Sequence, residues 1–279
     1  MHIYKYIHWL AAGLLVLSVS ACNIGATAPP EPGEGIDPGA TQTAEGGSTT
    51  PTTEAAATEA PATLPSESSG ACDNPYLPVV AGATGNYKLT GPVSDTFTHT
   101  VLSVENEGFT EQDEFGTGIT RQGTWQCEDG NLIALNPAAG NSANVSAEGV
   151  SVDFETTELS GVTLPATIDA GDTWSQSLTL EGTQTISGLS YPASNQLTSD
   201  CTAIGSESVT VEAGTFDALR VECATDMNIS IALDPNNPIS TPLSLTNIYW
   251  YAEDIGMVKN DTTSPGINST IELVSYNIP

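Results

Sequence analysis

The chain has 279 residues, and its 34 Asp and Glu residues against 5 Lys and Arg give a net charge of −29 at pH 7. This balance excludes a basic nucleic-acid-binding protein, because such proteins neutralise phosphates with Lys and Arg. It also excludes electrostatic attraction to an anionic membrane surface, so any membrane attachment has to be chemical.

The first 22 residues combine a short apolar run with a cysteine. The run WLAAGLLVLSV holds about eleven apolar residues, whereas a membrane-spanning helix needs about 20. The run and its small-residue ending are typical of a secretion signal. Its end, Val19-Ser20-Ala21-Cys22, resembles the bacterial lipobox. The resemblance implies cleavage before Cys22, a diacylglycerol group on its thiol, and often a further acyl chain on the new amino terminus.

Lipidation of Cys22 would make a durable anchor, because a second acyl chain adds to the marginal membrane affinity of the first. The alternative is ordinary secretion with cleavage near Ala21 and with Cys22 left as a spare thiol. A disulfide through Cys22 is disfavoured, since the four other cysteines can pair among themselves. We therefore predict a signal peptide at residues 1–21 and no cofactor other than the acyl chains on Cys22.

Residues 22–70 are predicted to form a disordered tether. From Asn23 to Gly70 the chain is almost wholly Pro, Gly, Ala, Ser, Thr and Glu, without an aromatic residue. Such a segment buries too little apolar surface to offset its ordering entropy. As a flexible coil it would reach about 40 Å, enough to hold a folded domain away from the membrane.

Residues 71–279 are expected to fold as one antiparallel β domain. Short strand-like runs alternate here with Gly, Pro, Asn and Asp, and no convincing helical periodicity interrupts them. About nine or more strands with short connections predict an all-β fold rather than a βαβ fold. Strand spacing leaves open whether the sheet is strongly curved, a half-barrel or a sandwich.

Two hairpins are predicted within this domain. Residues 207–223 form the clearest one, with the turn at Ala213-Gly214. On its second arm, Arg220 is expected to pair with a carboxylate on a neighbouring strand. Residues 244–261 form the other hairpin, with Glu253–Gly256 at its bend.

Three stretches of the domain resemble motifs of uncharacterised bacterial secreted and lipoprotein domains. VEAGTFDALRV at 211–221 resembles their V-x-A-G-T-F-x-A-x-x-V hairpin, and WYAEDIGMV at 250–258 resembles their W-Y-A-x-x-x-G-x-V strand pair. The residues LP and GDTW within 164–174 are similar to their L-P and G-x-x-W element. The resemblance spans about residues 160–275 and implies a curved antiparallel sheet, like that of lipoprotein-carrier domains. It implies no catalytic residue.

The four cysteines after Cys22 predict disulfides, because an even number in an exported domain is typical of disulfide pairing. Three connectivities are open. The predicted hairpin brings residue 204 opposite Cys223, which favours Cys201–Cys223 and leaves Cys72–Cys127 as the second pair. A zinc site is disfavoured, since the sequence contains no C-x-x-C.

The sequence names no substrate and no reaction. His99 is the one histidine after the predicted signal peptide, and without a G-x-S-x-G elbow it is expected to be structural. Residues 111–114 and 234–237 each cluster oxygen ligands in predicted loops, but neither stretch has the spacing of an EF-hand. Calcium binding stays open there, and we predict no catalytic and no metal-binding residue.

Together these features predict a membrane-anchored extracytoplasmic lipoprotein of the bacterial envelope with a non-catalytic binding or structural domain. One alternative is a carrier or sensor of an apolar ligand, such as a lipid, on the concave face of the sheet. Another is an extracellular hydrolase that uses carboxylates. An apolar cavity would favour the carrier, and a packed core the structural module. The sequence leaves the envelope partner and the oligomeric state open.

The lipid anchor is tested by replacing Cys22 with Ala and growing cells in radiolabelled palmitate. We expect the natural chain to incorporate label and the variant to incorporate none, because the thiol that carries the diacylglycerol is absent. Label that persists in the variant would show that the lipobox interpretation is wrong.

Overall fold

The computed structural model describes residues 70–136, 144–234 and 236–279. The predicted signal peptide, Cys22 and the predicted tether up to residue 69 lie outside these residues and stay predictions. Within the described ranges, no helix is long and apolar enough to cross a membrane.

The regular structure of the described residues consists of β-strands. In chain order they are β1 (Thr84–Thr90), β2 (Asp95–Glu105), β3 (Gly108–Phe115), β4 (Thr120–Glu128), β5 (Asn131–Ala134), β6 (Asn144–Ala147), β7 (Val150–Gly161), β8 (Thr173–Ile186), β9 (Leu189–Val211), β10 (Gly214–Ile231), β11 (Ile239–Ala252), β12 (Gly256–Ser264) and β13 (Ile267–Asn277).

The strands form one antiparallel sheet that closes on itself. Neighbours in sequence pair along the chain from β1 to β4 and from β6 to β13, while β4 pairs with β6 and β13 pairs back to β1. The short β5 lies beside β4, outside this closed ring of strands. The predicted all-β fold with a single curved antiparallel sheet is therefore confirmed. The curvature continues until the two edges meet, because most strands have a neighbour on both sides.

Local irregularities bend the strands. In the β9–β10 hairpin, Arg220 pairs with Gly205 and Val221 pairs with Ala203, so Ile204 is left as the extra residue of a bulge. Gly205 has a φ of 133°, a conformation that glycine adopts without the strain of a side chain. Such bulges increase the twist of a strand and help a wide sheet to curve.

The predicted turn of this hairpin is displaced by one residue. The strands end at Val211 and resume at Gly214, so Glu212 and Ala213 form the turn. The earlier turn and the bulge together place Cys201 directly opposite Cys223, rather than a few residues past it. The two cysteines form a disulfide with a Cα–Cα distance of 4.1 Å.

The segment before β1, residues 70–83, crosses one end of the closed sheet, and we call it the crossing segment. Its cysteine forms the Cys72–Cys127 disulfide, which ties it to β4. The buried Asn74 side chain donates to the carbonyls of Gly130, at 2.9 Å, and Pro165, at 3.0 Å. These contacts hold the crossing segment to the β4–β5 turn and to the β7–β8 connection.

Two further contacts of the crossing segment lie elsewhere around the ring. The backbone N–H of Asp254, in the β11–β12 turn, donates to the Pro75 carbonyl at 2.9 Å, and the Gly82 N–H donates to Val101 of β2 at 2.9 Å. A main apolar core, which includes Val79, forms where this segment meets the strands. The crossing segment thus fills one end of the closed sheet.

The two disulfides should contribute unequally to stability. Cys72–Cys127 closes a separation of 55 residues and Cys201–Cys223 one of 22. On the chain-entropy estimate, replacing the first pair with Ala lowers the free energy of unfolding by about 4 kcal/mol and replacing the second by about 3 kcal/mol. Urea unfolding of the full chain measures both. An equal or smaller loss for the first pair would show that the crossing segment is not held as described.

Candidate ligand-binding cavity

The closed sheet surrounds a cavity of about 370 Å³. A ring of twelve strands is wider than the eight-stranded ring that side chains alone can fill, so space remains beyond the crossing segment. The walls are mostly apolar and rich in aromatic rings. They include Leu77, Tyr87, Phe97, Phe115, Trp125, Trp174, Leu197, Met227, Leu243, Leu245, Tyr249, Tyr251 and Ile271, together with the Cys201–Cys223 disulfide.

Four charged or titratable side chains stand together on one wall. The strand register sets His99 of β2 opposite Asp113 of β3, and Asp113 opposite Arg121 of β4. His99 Nδ1 lies 2.9 Å from Asp113 Oδ1, and Arg121 Nη2 donates to Asp113 Oδ2 at 2.8 Å. Glu111 Oε2 lies 3.8 Å from His99 Nε2. We call these four residues the ionic cluster.

The ionic cluster is largely removed from solvent. The exposed fractions of its side chains are 4% for Asp113, 5% for Glu111, 11% for Arg121 and 21% for His99. Charges at this depth are tolerated because they are paired with one another, since an unpaired buried charge is strongly destabilising.

Burial and pairing act in opposite directions on the protonation of the ionic cluster. Burial alone lowers the pKa of His99, but its hydrogen bond to Asp113 and the charge of Glu111 outweigh this, so the pKa is raised above its usual 6.5. Burial alone raises the pKa of Asp113, but the charge of Arg121 and the bond to His99 lower it overall. The cluster therefore favours a protonated imidazole beside an ionised carboxylate.

Aromatic rings support the ionic cluster and extend the apolar wall. The Arg121 guanidinium lies 4.7 Å from the centre of the Phe115 ring, which stacks on Phe97 with centroids 4.8 Å apart.

On the opposite side of the ring of strands, burial raises the pKa of Tyr249 to about 12, and burial also raises the pKa of Tyr251. Both tyrosines stay neutral at physiological pH, as an apolar wall requires.

The predicted cysteine sites lie at the wall and end of this cavity. Both disulfides, Cys72–Cys127 and Cys201–Cys223, have the pairing that the sequence favours, and Cys201–Cys223 lines the cavity. The proposed lipidation site, Cys22, lies outside the described residues.

Two predictions about charged residues need correction. Arg220 pairs with Glu222, two residues along the same strand and on the same face, and not with a carboxylate across strands. Across the sheet, Arg220 stands opposite Trp250 and Gly205. Residues 111–114 lie in strand β3, not in a loop, because each pairs with β2 and β4.

The other candidate stretch is exposed at residues 234, 236 and 237, as expected for a turn. Asp234 Oδ1 accepts a hydrogen bond from the backbone N–H of Asn236 at 3.0 Å, which is a local turn contact. Within the described residues, no group of three or more His, Cys, Asp and Glu side chains could hold a metal ion.

Sequence reasoning missed the ionic cluster as a unit. His99, Glu111 and Asp113 were each considered, but Arg121 was not. The signal lies in the two successive turns that join β2, β3 and β4. Counting back from the β3–β4 turn sets Asp113 opposite Arg121, but counting back from the β2–β3 turn sets residue 114 opposite His99. A bulge at Leu102, where Val101 pairs with Glu111 and Ser103 with Thr110, shifts the register by one residue and brings Asp113 opposite His99.

Known families and structures match the closed sheet. A family model described as DUF3108-like matches residues 85–276. A crystal structure of a protein from Parabacteroides distasonis, described as a lipoprotein, is 14% identical, with a TM-score of 0.50 over 73% of this chain and 99% of that one. Another, of a Bacteroides fragilis protein described as exported and with a YmcC-like fold, is 14% identical, with a TM-score of 0.47 over 74% of this chain and 100% of that one. No curated protein matches the chain. The likeness to the Parabacteroides distasonis structure supports the fold alone.

The ionic cluster predicts a pH dependence of stability. Because the pKa of His99 is higher in the folded chain than its usual 6.5, its stabilising effect is complete below pH 6.5 and is lost as pH rises through the folded pKa. We expect the free energy of unfolding to fall above pH 6.5 and this fall to be absent in His99→Gln. Urea unfolding across this range measures it. A fall of the same size in both proteins would contradict the assignment to His99, the only histidine after residue 8.

Proposed function

This chain belongs to the DUF3108-like family, and we propose that it is a membrane-anchored extracytoplasmic lipoprotein whose closed sheet binds an apolar ligand. It acts without catalysis, as a carrier or sensor. Acyl chains on Cys22 hold it to the bacterial cell membrane, and residues 22–70 act as a tether that lets the domain extend away from the membrane surface.

The observation that carries this proposal is the cavity inside the sheet. Its volume of about 370 Å³ falls in the range of small-molecule sites, which are concave and mostly apolar with a few polar groups. Leu243 and Leu245 of β11 are half-buried at its wall, so their side chains present apolar surface to the space inside. A structural module with a packed core would not have this space.

The state of the ionic cluster supports binding rather than hydrolysis. Both carboxylate oxygens of Asp113 are engaged, one by His99 and the other by Arg121. Carboxylate-dependent hydrolases need one carboxyl group as an acid and one free to act as a base or nucleophile. A carboxylate whose two oxygens are both hydrogen-bonded is a poor candidate for a catalytic base or nucleophile.

Three observations support an extracytoplasmic location. The disulfides Cys72–Cys127 and Cys201–Cys223 are typical of oxidising compartments outside the cytoplasm. The Parabacteroides distasonis protein with the similar fold is itself described as a lipoprotein. Residues 19–22 of this chain supply the matching lipobox-like signal.

Filling the cavity should abolish binding. Leu245→Trp places a large ring inside it, whereas Thr246→Trp, at the adjacent exposed position of β11, serves as the matched control. We expect Leu245→Trp to hold about tenfold less ligand than the natural chain, or less still, because its ring occupies the site. Thr246→Trp should bind as much ligand as the natural chain, because its ring lies outside the cavity.

The measurement is native mass spectrometry of the full chain, extracted from its membrane into detergent-free bilayer discs. The natural chain and Thr246→Trp should release a bound apolar molecule. Equal occupancy in Leu245→Trp, or no bound molecule in any of the three proteins, would contradict the proposal.

A further inference from the structure

Two hydrogen-bond donors at the cavity wall have no partner. The Nε–H of Arg121 and the Nε1–H of Trp125 are buried, and neither meets an acceptor among the described residues. Both side chains line the cavity, and they lie four residues apart on β4, on one face of the strand. Buried donors are nearly always hydrogen-bonded, because an unpaired one keeps its full desolvation cost.

Other donors that line the cavity are satisfied by the protein. The indole N–H of Trp174 donates to the Thr163 carbonyl at 3.0 Å, and the Tyr87 hydroxyl donates to the Met257 carbonyl at 2.9 Å. Among the described side chains that line the cavity, the shortage of acceptors is therefore local to β4, beside the ionic cluster; the other unpaired buried N–H donor, Arg220 Nε–H, does not line the cavity. A ligand that offers an oxygen acceptor at this place would meet it.

The surrounding charges indicate that this acceptor is uncharged. Both cationic side chains already have carboxylate partners: Arg121 Nη2 lies 2.8 Å from Asp113 Oδ2, and His99 lies 2.9 Å from Asp113 Oδ1 and 3.8 Å from Glu111 Oε2. A carboxylate or phosphate on the ligand would leave a net negative charge in a mostly apolar cavity, which is costly. An ammonium group would bring no acceptor for the two donors.

We propose that the cavity selects an uncharged amphiphile with an ester or amide carbonyl. The apolar chain lies against Leu243 and Leu245, and the carbonyl oxygen accepts a hydrogen bond from Trp125 Nε1–H. This selection rests on the proposed function, since it assigns the head group of the ligand that the cavity holds.

The test uses three photoreactive probes that share a ten-carbon chain with a diazirine and differ only in the head group. One is a methyl ester, one the free acid and one the primary amine. The full chain is labelled in detergent-free bilayer discs, and mass spectrometry of its peptides locates the label. We expect the ester to label peptides that contain Leu243 or Leu245 about three- to tenfold more than the acid or the amine does. This is the difference in affinity that one additional hydrogen bond produces.

The variant Trp125→Phe isolates the indole donor. Phenylalanine keeps a ring to stack on Phe109, whose centroid lies 5.4 Å from that of Trp125, and removes only the N–H and part of the ring. The matched control is Trp250→Phe, because Trp250 does not line the cavity and its N–H is already bonded to Glu207. Circular dichroism confirms that each variant is folded.

The outcomes separate this inference from the proposed function. Loss of the ester preference in Trp125→Phe, with the preference kept in Trp250→Phe, supports the assignment. Equal labelling by all three probes, a preference for the acid or amine, or an unchanged preference in Trp125→Phe overturns it while the apolar cavity still binds. Absence of label from the cavity peptides with every probe overturns the proposed function itself.

Discussion

The pairing of β1 with β13 closes the sheet, and the rest of the structure depends on it. Seven residue pairs, from Thr84 opposite Asn277 to Thr90 opposite Thr270, join the first strand to the last. A sheet of this width without that seam would expose two long edges, which invite pairing with other chains. Closure also fixes where the chain enters the fold, so the crossing segment before β1 lies at one end of the ring. The disulfide of Cys72 then holds it there.

Closure explains why this protein has an interior cavity. Twelve strands enclose more space than their inward side chains fill, and the crossing segment occupies only one end. The same register that closes the sheet aligns His99, Asp113 and Arg121 across three neighbouring strands. The polar wall of the cavity is therefore a consequence of strand pairing. Under the proposed function, its position relative to the apolar wall would let the site distinguish the two ends of an amphiphile.

Much of this fold follows from local sequence. Alternation of Leu219, Val221 and Cys223, and turn residues at short intervals, were enough to predict an antiparallel sheet and its hairpins. Closure was not predictable, because no local signal states that residue 84 pairs with residue 277. The turn of the β9–β10 hairpin lies one residue earlier than predicted, and the bulge at Ile204 shifts the pairing beyond it by one more residue, which a count along the strand does not reveal.

The site was harder to predict than the fold. Single residues such as His99 and Asp113 could be noticed, but their meeting with Arg121 depends on the register of two hairpins and on the bulge at Leu102. The existence of a cavity depends on the number of strands in a closed ring, which local patterns do not encode. The lipid anchor, by contrast, is indicated by the local sequence of residues 19–22 and does not depend on the fold. It stays a prediction.

The central claim is that the interior of the closed sheet holds an apolar molecule. The most direct measurement is a crystal structure of the full chain purified from its own membrane without detergent. We expect elongated density inside the sheet, in contact with Leu243 and Leu245 and with its polar end beside Trp125. A cavity that holds only ordered water, or one closed by inward-turned side chains, would contradict the claim.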